Sequence, residues 1–166
     1  MVEKKILVDG LRFSYDGLFD IVDFYRHVED WMQDHHMQKE IKKKGEHVEP
    51  QGRKVEWMIE CWKKEAEFAK SVVRLRALFT DVTDVQMVKD GVTRTFQKGK
   101  ALLIFDAFLE TDFEKTWVQK PWFFFLRAIY DKLIQKIWSE RYDETVRKYT
   151  YDLFNSLKAF FNLYKY

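Results

Sequence analysis

Hydrophobic positions along this chain change period several times, and each change marks an element. From Lys5 to Tyr15 a partial alternation puts Leu7, Leu11, Phe13 and Tyr15 on one side, which predicts a first strand. Asp16 then offers a side chain suited to capping a helix. Over the next stretch Leu18, Ile21, Val22, Tyr25, Val28 and Met32 recur at three and four residues, with Asp20, Asp23, Arg26, Asp30 and Asp34 opposite. That spacing predicts a surface helix with one buried stripe.

After His35 and His36 the period returns to two. Met37 to His47 predicts a polar strand, and EPQG at 49–52 is turn chemistry, so a hairpin follows. Val55, Trp57, Ile59 and Cys61 alternate with Glu56, Met58, Glu60 and Trp62. Val73, Leu75, Ala77 and Phe79 alternate with Val72, Arg74, Arg76 and Leu78, so neighbouring antiparallel strands are expected. Asp90 and Gly91 predict a tight hairpin between 85–88 and 92–96, and Gly99 precedes a last strand over 101–110. Leu103, Phe105, Ala107 and Leu109 share one face of that strand.

Pro121 opens a helical repeat, since proline lacks only a donor that the first turn leaves unused. Leu126, Ile129, Tyr130, Leu133, Ile137 and Trp138 form one stripe; Val146, Tyr149, Leu153, Leu157, Phe160, Phe161 and Tyr164 form a second. These belong either to two helices or to one bent helix. The predicted order is strand, helix, about six antiparallel strands, then long helix.

Composition narrows the classes. At 166 residues, with no repeat and no linker rich in Pro, Gly or Ser, the chain reads as a single domain over 1–166. Apolar residues are 46% of the total and aromatic ones 17%, enough for a bulky core without staples. A net charge of +2 argues against nucleic acid as the main partner. The single Cys61 forms no intramolecular disulfide and fits a reducing compartment, so a cytoplasmic protein is expected. The start, MVEKKILVDGLRF, lacks a secretory apolar stretch and cleavage site. The apolar run 121–126, PWFFFL, is far short of the ~20 residues that span a bilayer, so an integral membrane protein is not expected.

In element order the chain resembles the START-like or Bet v 1-like (SRPBCC) superfamily, whose helix-grip fold wraps a curved antiparallel sheet around a closing C-terminal helix. The segments YDGLFDI (15–21), WKKE (62–65), IFDAFLETDFE (104–114) and FFNLYKY (160–166) are similar to those of small archaeal proteins of this type. The resemblance implies an α+β fold with six or seven strands, an N-terminal helix after the first strand and a cavity between sheet and closing helix for lipids or other apolar molecules. It also implies a wall for that cavity: Trp122, Phe123, Leu126, Tyr130, Leu133 and Ile137 from the helix, with Trp57, Ile59, Leu75, Phe79, Phe105 and Ala107 opposite. The competing reading is that these side chains interlock and leave no space, because protein interiors are close-packed.

Other candidates carry less chemistry. Phe124 and Phe125 fall beside Arg127 on a helical wheel and would serve as a cavity gate, a subunit contact or a shallow lipid contact, unless the helix starts later and they pack in a loop. Arg74 and Arg76 on one strand, with Asp106 and Glu110 on another, are expected on a solvated sheet face; inside a cavity they would act as acid and base. His27, His35, His36 and His47 have no ligand spacing, so no metal and no cofactor are expected. Cys61 reads as a small buried residue rather than a nucleophile. Lys39, Lys42, Lys43 and Lys44, with Arg53 and Lys54, form a basic hairpin, read as edge protection rather than a site for acidic surfaces. No nucleophile, acid–base pair or metal set stands out, so catalysis is the least supported class. A binding module for an apolar or amphipathic molecule leads; a solid-cored protein that self-associates, as a homodimer, through exposed aromatics including Trp62 is the alternative.

Overall fold

The computed structural model describes residues 3–66, 68–111 and 123–164, with backbone alone at 89 and 123–139. Its elements are β1 (Glu3–Phe19), α1 (Ile21–Asp34), β2 (Gln38–Glu49), β3 (Gly52–Ala66), β4 (Ala69–Lys89), β5 (Val92–Thr111) and α2 (Phe123–Leu163). Among the described residues the strands form one antiparallel sheet in the order β1-β5-β4-β3-β2. The architecture is α+β, with a helix after the first strand and a C-terminal helix.

Five strands replace the expected six or seven because stretches read as separate run together. Residues 73–79 and 85–88 are one strand, β4, and 92–96 and 101–110 are one strand, β5. The joins are bulges rather than turns. In β4 the register shifts between Thr80 and Thr83, where Asp81 takes φ 55°. A bulge needs room on both sides, and glycine supplies it. A Cβ on Gly52 in β3 would lie 2.8 Å from the Asp81 carbonyl carbon, and one on Gly99 in β5 would lie 2.8 Å from the Thr80 oxygen. Gly99 pairs in turn with Gly17 of β1. A line of small residues thus crosses the sheet, and bulges bend strands where they occur.

β1 also outruns its expectation, continuing through Gly17 to Phe19, so that Asp20 and not Asp16 caps α1. Its carboxylate accepts from the Val22 and Asp23 backbone N–H groups at 3.0 and 3.3 Å. The buried stripe is rotated accordingly: Phe24, Val28, Trp31 and Met32 are buried, while Val22, assigned to the stripe from its spacing, is exposed. The Asp90–Gly91 hairpin is present, with φ 55° and 77° at its two central residues, as a tight turn of that kind requires.

α2 is one helix of 41 residues, about 60 Å long at 1.5 Å per residue. Its second stripe falls where spacing puts it. Val146, Leu153, Leu157, Phe160 and Phe161 are buried against the sheet, and Tyr149 and Tyr164 are half-buried beside them. The core is a web of rings between α1, α2 and the sheet. Phe161 sits at its hub, with ring centres of Tyr15, Phe160, Phe13, Phe24 and Phe19 between 4.9 and 6.2 Å away.

Candidate functional site

The sheet half of the expected cavity wall lies together on the helix-facing side. Trp57, Ile59, Leu75, Phe79, Phe105 and Ala107 are all buried members of the core. Neighbouring rings fill the space beside them: Phe79 meets Phe19 and Phe24 at 5.3 Å each, Trp57 meets Tyr25 at 4.7 Å, and Phe105 meets Phe154 at 5.4 Å. The helix half, Phe123, Leu126, Tyr130, Leu133 and Ile137, lies outside the residues whose side chains are described, as do Phe124 and Phe125. Trp122 lies outside the described residues altogether.

Open space appears beside this web. A groove of about 720 Å³ runs between α1, the outer part of the β4–β5 hairpin and the end of α2. The bend in β4 and β5 places it there, because the residues beyond the bulge reach α1 and α2 rather than continuing flat. Gln97 Oε1 accepts from the Ile21 backbone N–H at 3.0 Å, and the Phe96 ring lies 6.0 Å from that of Tyr164. Phe96, Phe160, Leu18 and Met87 give the groove an apolar wall. Val88, 72% exposed, and Leu163, 79% exposed, stand at its rim.

One side is polar. Asp23, Arg26, His27 and Asp30 of α1 line it, with Arg94 of β5 and Tyr164 of α2. Asp23 is the junction: Oδ1 accepts from Arg26 at 3.3 Å, and Oδ2 accepts from the Tyr164 hydroxyl at 2.9 Å. Burial, together with that bond, pushes the Tyr164 hydroxyl well above its ordinary range, so it stays protonated and donating. Arg94 stands 3.9 Å from Asp23 Oδ2, an ion-pair distance beyond hydrogen-bond reach. Its guanidinium also lies 5.5 Å from the centre of the Phe96 ring. His27, expected on the polar face of α1, is instead half-buried against α2, 2.7 Å from Ser156 Oγ and 5.2 Å from the Phe160 ring centre.

The remaining candidates sit elsewhere. Arg74 and Asp106 are cross-strand neighbours on the sheet face turned away from the helices, where Glu60 takes the Arg74 guanidinium at 2.6 and 3.0 Å. Asp106 accepts from the Gly10 backbone N–H at 2.8 Å, holding the bulge in β1. Glu110 meets Lys4 at 3.5 Å and Lys70 at 3.7 Å. These groups brace the outer face. Trp62 lies on it too, under the Lys70 ammonium at 4.5 Å. His35 stacks on Trp31 at 4.2 Å and reaches the Trp31 carbonyl and Asp152 at 2.8 and 2.9 Å, a tie between α1 and α2. Cys61 is buried, and loss of hydration pushes its thiol up to about 12, which rules out a ready thiolate. Among the described residues no cluster of three His, Cys, Asp or Glu side chains forms a metal site.

The basic hairpin is largely neutralised from within. Lys39 pairs with Glu29, Lys42 with Glu40, Lys43 with Glu56 at 2.9 Å, and Arg53 with Glu46 and Asp84 at 3.1 and 2.5 Å. β2 is an edge strand, where charge discourages pairing with another chain. At the opposite end of α2, Asp143 is buried and bonded to Lys5, its Oδ1 meeting no hydrogen-bond partner among the described residues.

The chain is thus an α+β domain in which an antiparallel sheet, a short helix and the end of a long one frame an amphipathic groove. Comparison with known protein families, curated proteins and solved structures finds no match to it. No described helix is long and apolar enough to cross a membrane.

Proposed function

We propose that the domain is of the helix-grip type and binds an apolar or amphipathic small molecule in the groove between α1, the outer β4–β5 hairpin and the end of α2. The observation that carries this reading is the groove itself. Its volume of about 720 Å³ lies within the ~300–1,000 Å³ of small-molecule sites, and it joins one apolar wall to one polar side. Burial of apolar ligand surface drives binding at ~25 cal/mol per Å². The polar side sets orientation. Asp106, Glu110 and the arginines of β4 lie on the outer face, away from the groove, so the reading is of a carrier or sensor rather than an enzyme.

Native mass spectrometry of the purified chain, with solvent extraction of whatever copurifies, tests this. An adduct of small-molecule mass that Leu163→Glu and Met87→Glu each remove is the expected result. A chain that carries no adduct and displaces no environment-sensitive apolar dye from the wild-type groove refutes it. A second reading is favoured by the exposure of Val88, Val92 and Leu163, an apolar rim suited to a second copy of the chain. Sedimentation separates the two, since a monomer at high concentration leaves only the small molecule.

A further inference from the structure

We propose that the groove takes an amphiphile with a negatively charged head, a single-chain carboxylate, held by Arg94. The inference rests on the binding reading above and assigns its polar end. Four charged side chains of the groove, besides His27, decide the matter: Asp23, Arg26, Asp30 and Arg94. Asp23 is occupied on both oxygens, by Arg26 and by Tyr164, and so offers little to a cation. Arg26 is held in turn by that bond within its own helix.

Arg94 differs from both. Its approach to Asp23, 3.9 Å, is long enough to leave its N–H groups without a directed bond to that carboxylate, and half of its side chain is exposed. Among the described residues no hydrogen bond to it is present. A guanidinium presents a planar fork that matches a carboxylate with two parallel bonds. Arg94 also arises from the strand that carries Phe96, so a head group bonded to it delivers its chain onto the wall formed by Phe96 and Phe160. Asp30 sits seven residues from Asp23 on α1, about 10 Å along the helix, and opposes an anion only weakly from there. The rise of 41 residues in α2 does not enter this distance; only its last turn, with Leu163 and Tyr164, faces the groove.

Isothermal titration of the full chain with dodecanoate, dodecanol and dodecylamine, each below its micelle concentration, tests the assignment. Dodecanoate is expected to bind about tenfold or more tighter than dodecanol, the ratio a charge-assisted hydrogen bond supplies. Arg94→Gln is expected to erase that ratio while leaving dodecanol affinity and the thermal midpoint unchanged. Arg26→Gln is expected to leave most of it. Equal binding of acid and alcohol, or preference for the amine, overturns the charged-head inference while the groove reading stands. Binding of none of the three overturns the groove reading as well.

Discussion

Phe161 fastens α2 to the rest of the molecule, and its truncation measures how much of the stability depends on that contact. The side chain is fully buried and its ring meets five others, from β1, α1 and its own helix. Phe161→Ala removes the buried ring and leaves a hole among stiff neighbours that cannot collapse into it. Such truncations cost about 3–5 kcal/mol, and each ring pair lost adds roughly 0.5–1.5 kcal/mol beyond burial where its geometry is specific. Against a typical total of about 5–15 kcal/mol this is a large share. For a chain of this size a loss of 1 kcal/mol lowers the thermal midpoint by about 2–4 °C, so a fall of roughly 6–20 °C is expected. Leu163, two residues on, is 79% exposed, and Leu163→Ala should stay within about 0.5 kcal/mol of wild type. Urea denaturation followed by tryptophan fluorescence gives both values. A Phe161→Ala loss under 1 kcal/mol, or a Leu163→Ala loss equal to it, would refute the placement of α2.

Cys61 should resist thiol reagents in the native chain and react only on unfolding; rapid modification in buffer at neutral pH, followed by absorbance, would contradict its burial. Its thiol is raised from 9.0 to about 12, so the folded state holds the proton more tightly than the unfolded one. That contribution is complete below pH 9.0 and is lost as pH rises towards 12, a decline that Cys61→Ala should lessen in alkaline melts even though Tyr164, also raised, pulls the same way. Gly52→Ala should destabilise by about 1–3 kcal/mol, since its φ of +147° suits glycine and the added Cβ meets the Asp81 backbone; an unchanged midpoint in calorimetry would dismiss the bend as described. Tyr164→Phe removes the hydroxyl bonded to Asp23 and should cost about 1 kcal/mol, with hydrogen exchange rising first in the last turn of α2.

Much of this architecture is legible in the amino-acid order. The second stripe of α2 is buried as its three- and four-residue spacing requires, because a long helix on a sheet has one face to hide. The Asp90–Gly91 turn is equally plain, since few residue pairs accept two positive φ angles. Strand number was less so. Thr80 to Thr83 and Gly99 look like interruptions, and only the pairing of both neighbours shows that the chain bulges there and continues. The α1 stripe was misread by a fraction of a turn because the true cap lies four residues beyond the first aspartate, and Phe24 and Trp31 then replace Val22. The groove was not foreseen at all. Its polar members sit on α1 between positions that look solvated, and their meeting with Arg94 and Tyr164 depends on how far the sheet curves. One signal was present: Asp23, His27 and Asp30 recur at helical spacing, forming a polar stripe beside the apolar one.

The crease across the sheet separates two parts of the hairpin with different freedoms. On one side the strands are clamped under the ring web and can change little. On the other, residues 83–98 form a cantilever that ends in a solvent-exposed tip. Adding or deleting one residue from each arm of that cantilever would keep both arms paired but turn every side chain beyond the change over, whereas two from each arm would lengthen or shorten the wall with its inward set preserved. Descendants of this chain can therefore resize the recess by editing the tip in steps of four residues, leaving the foundation untouched.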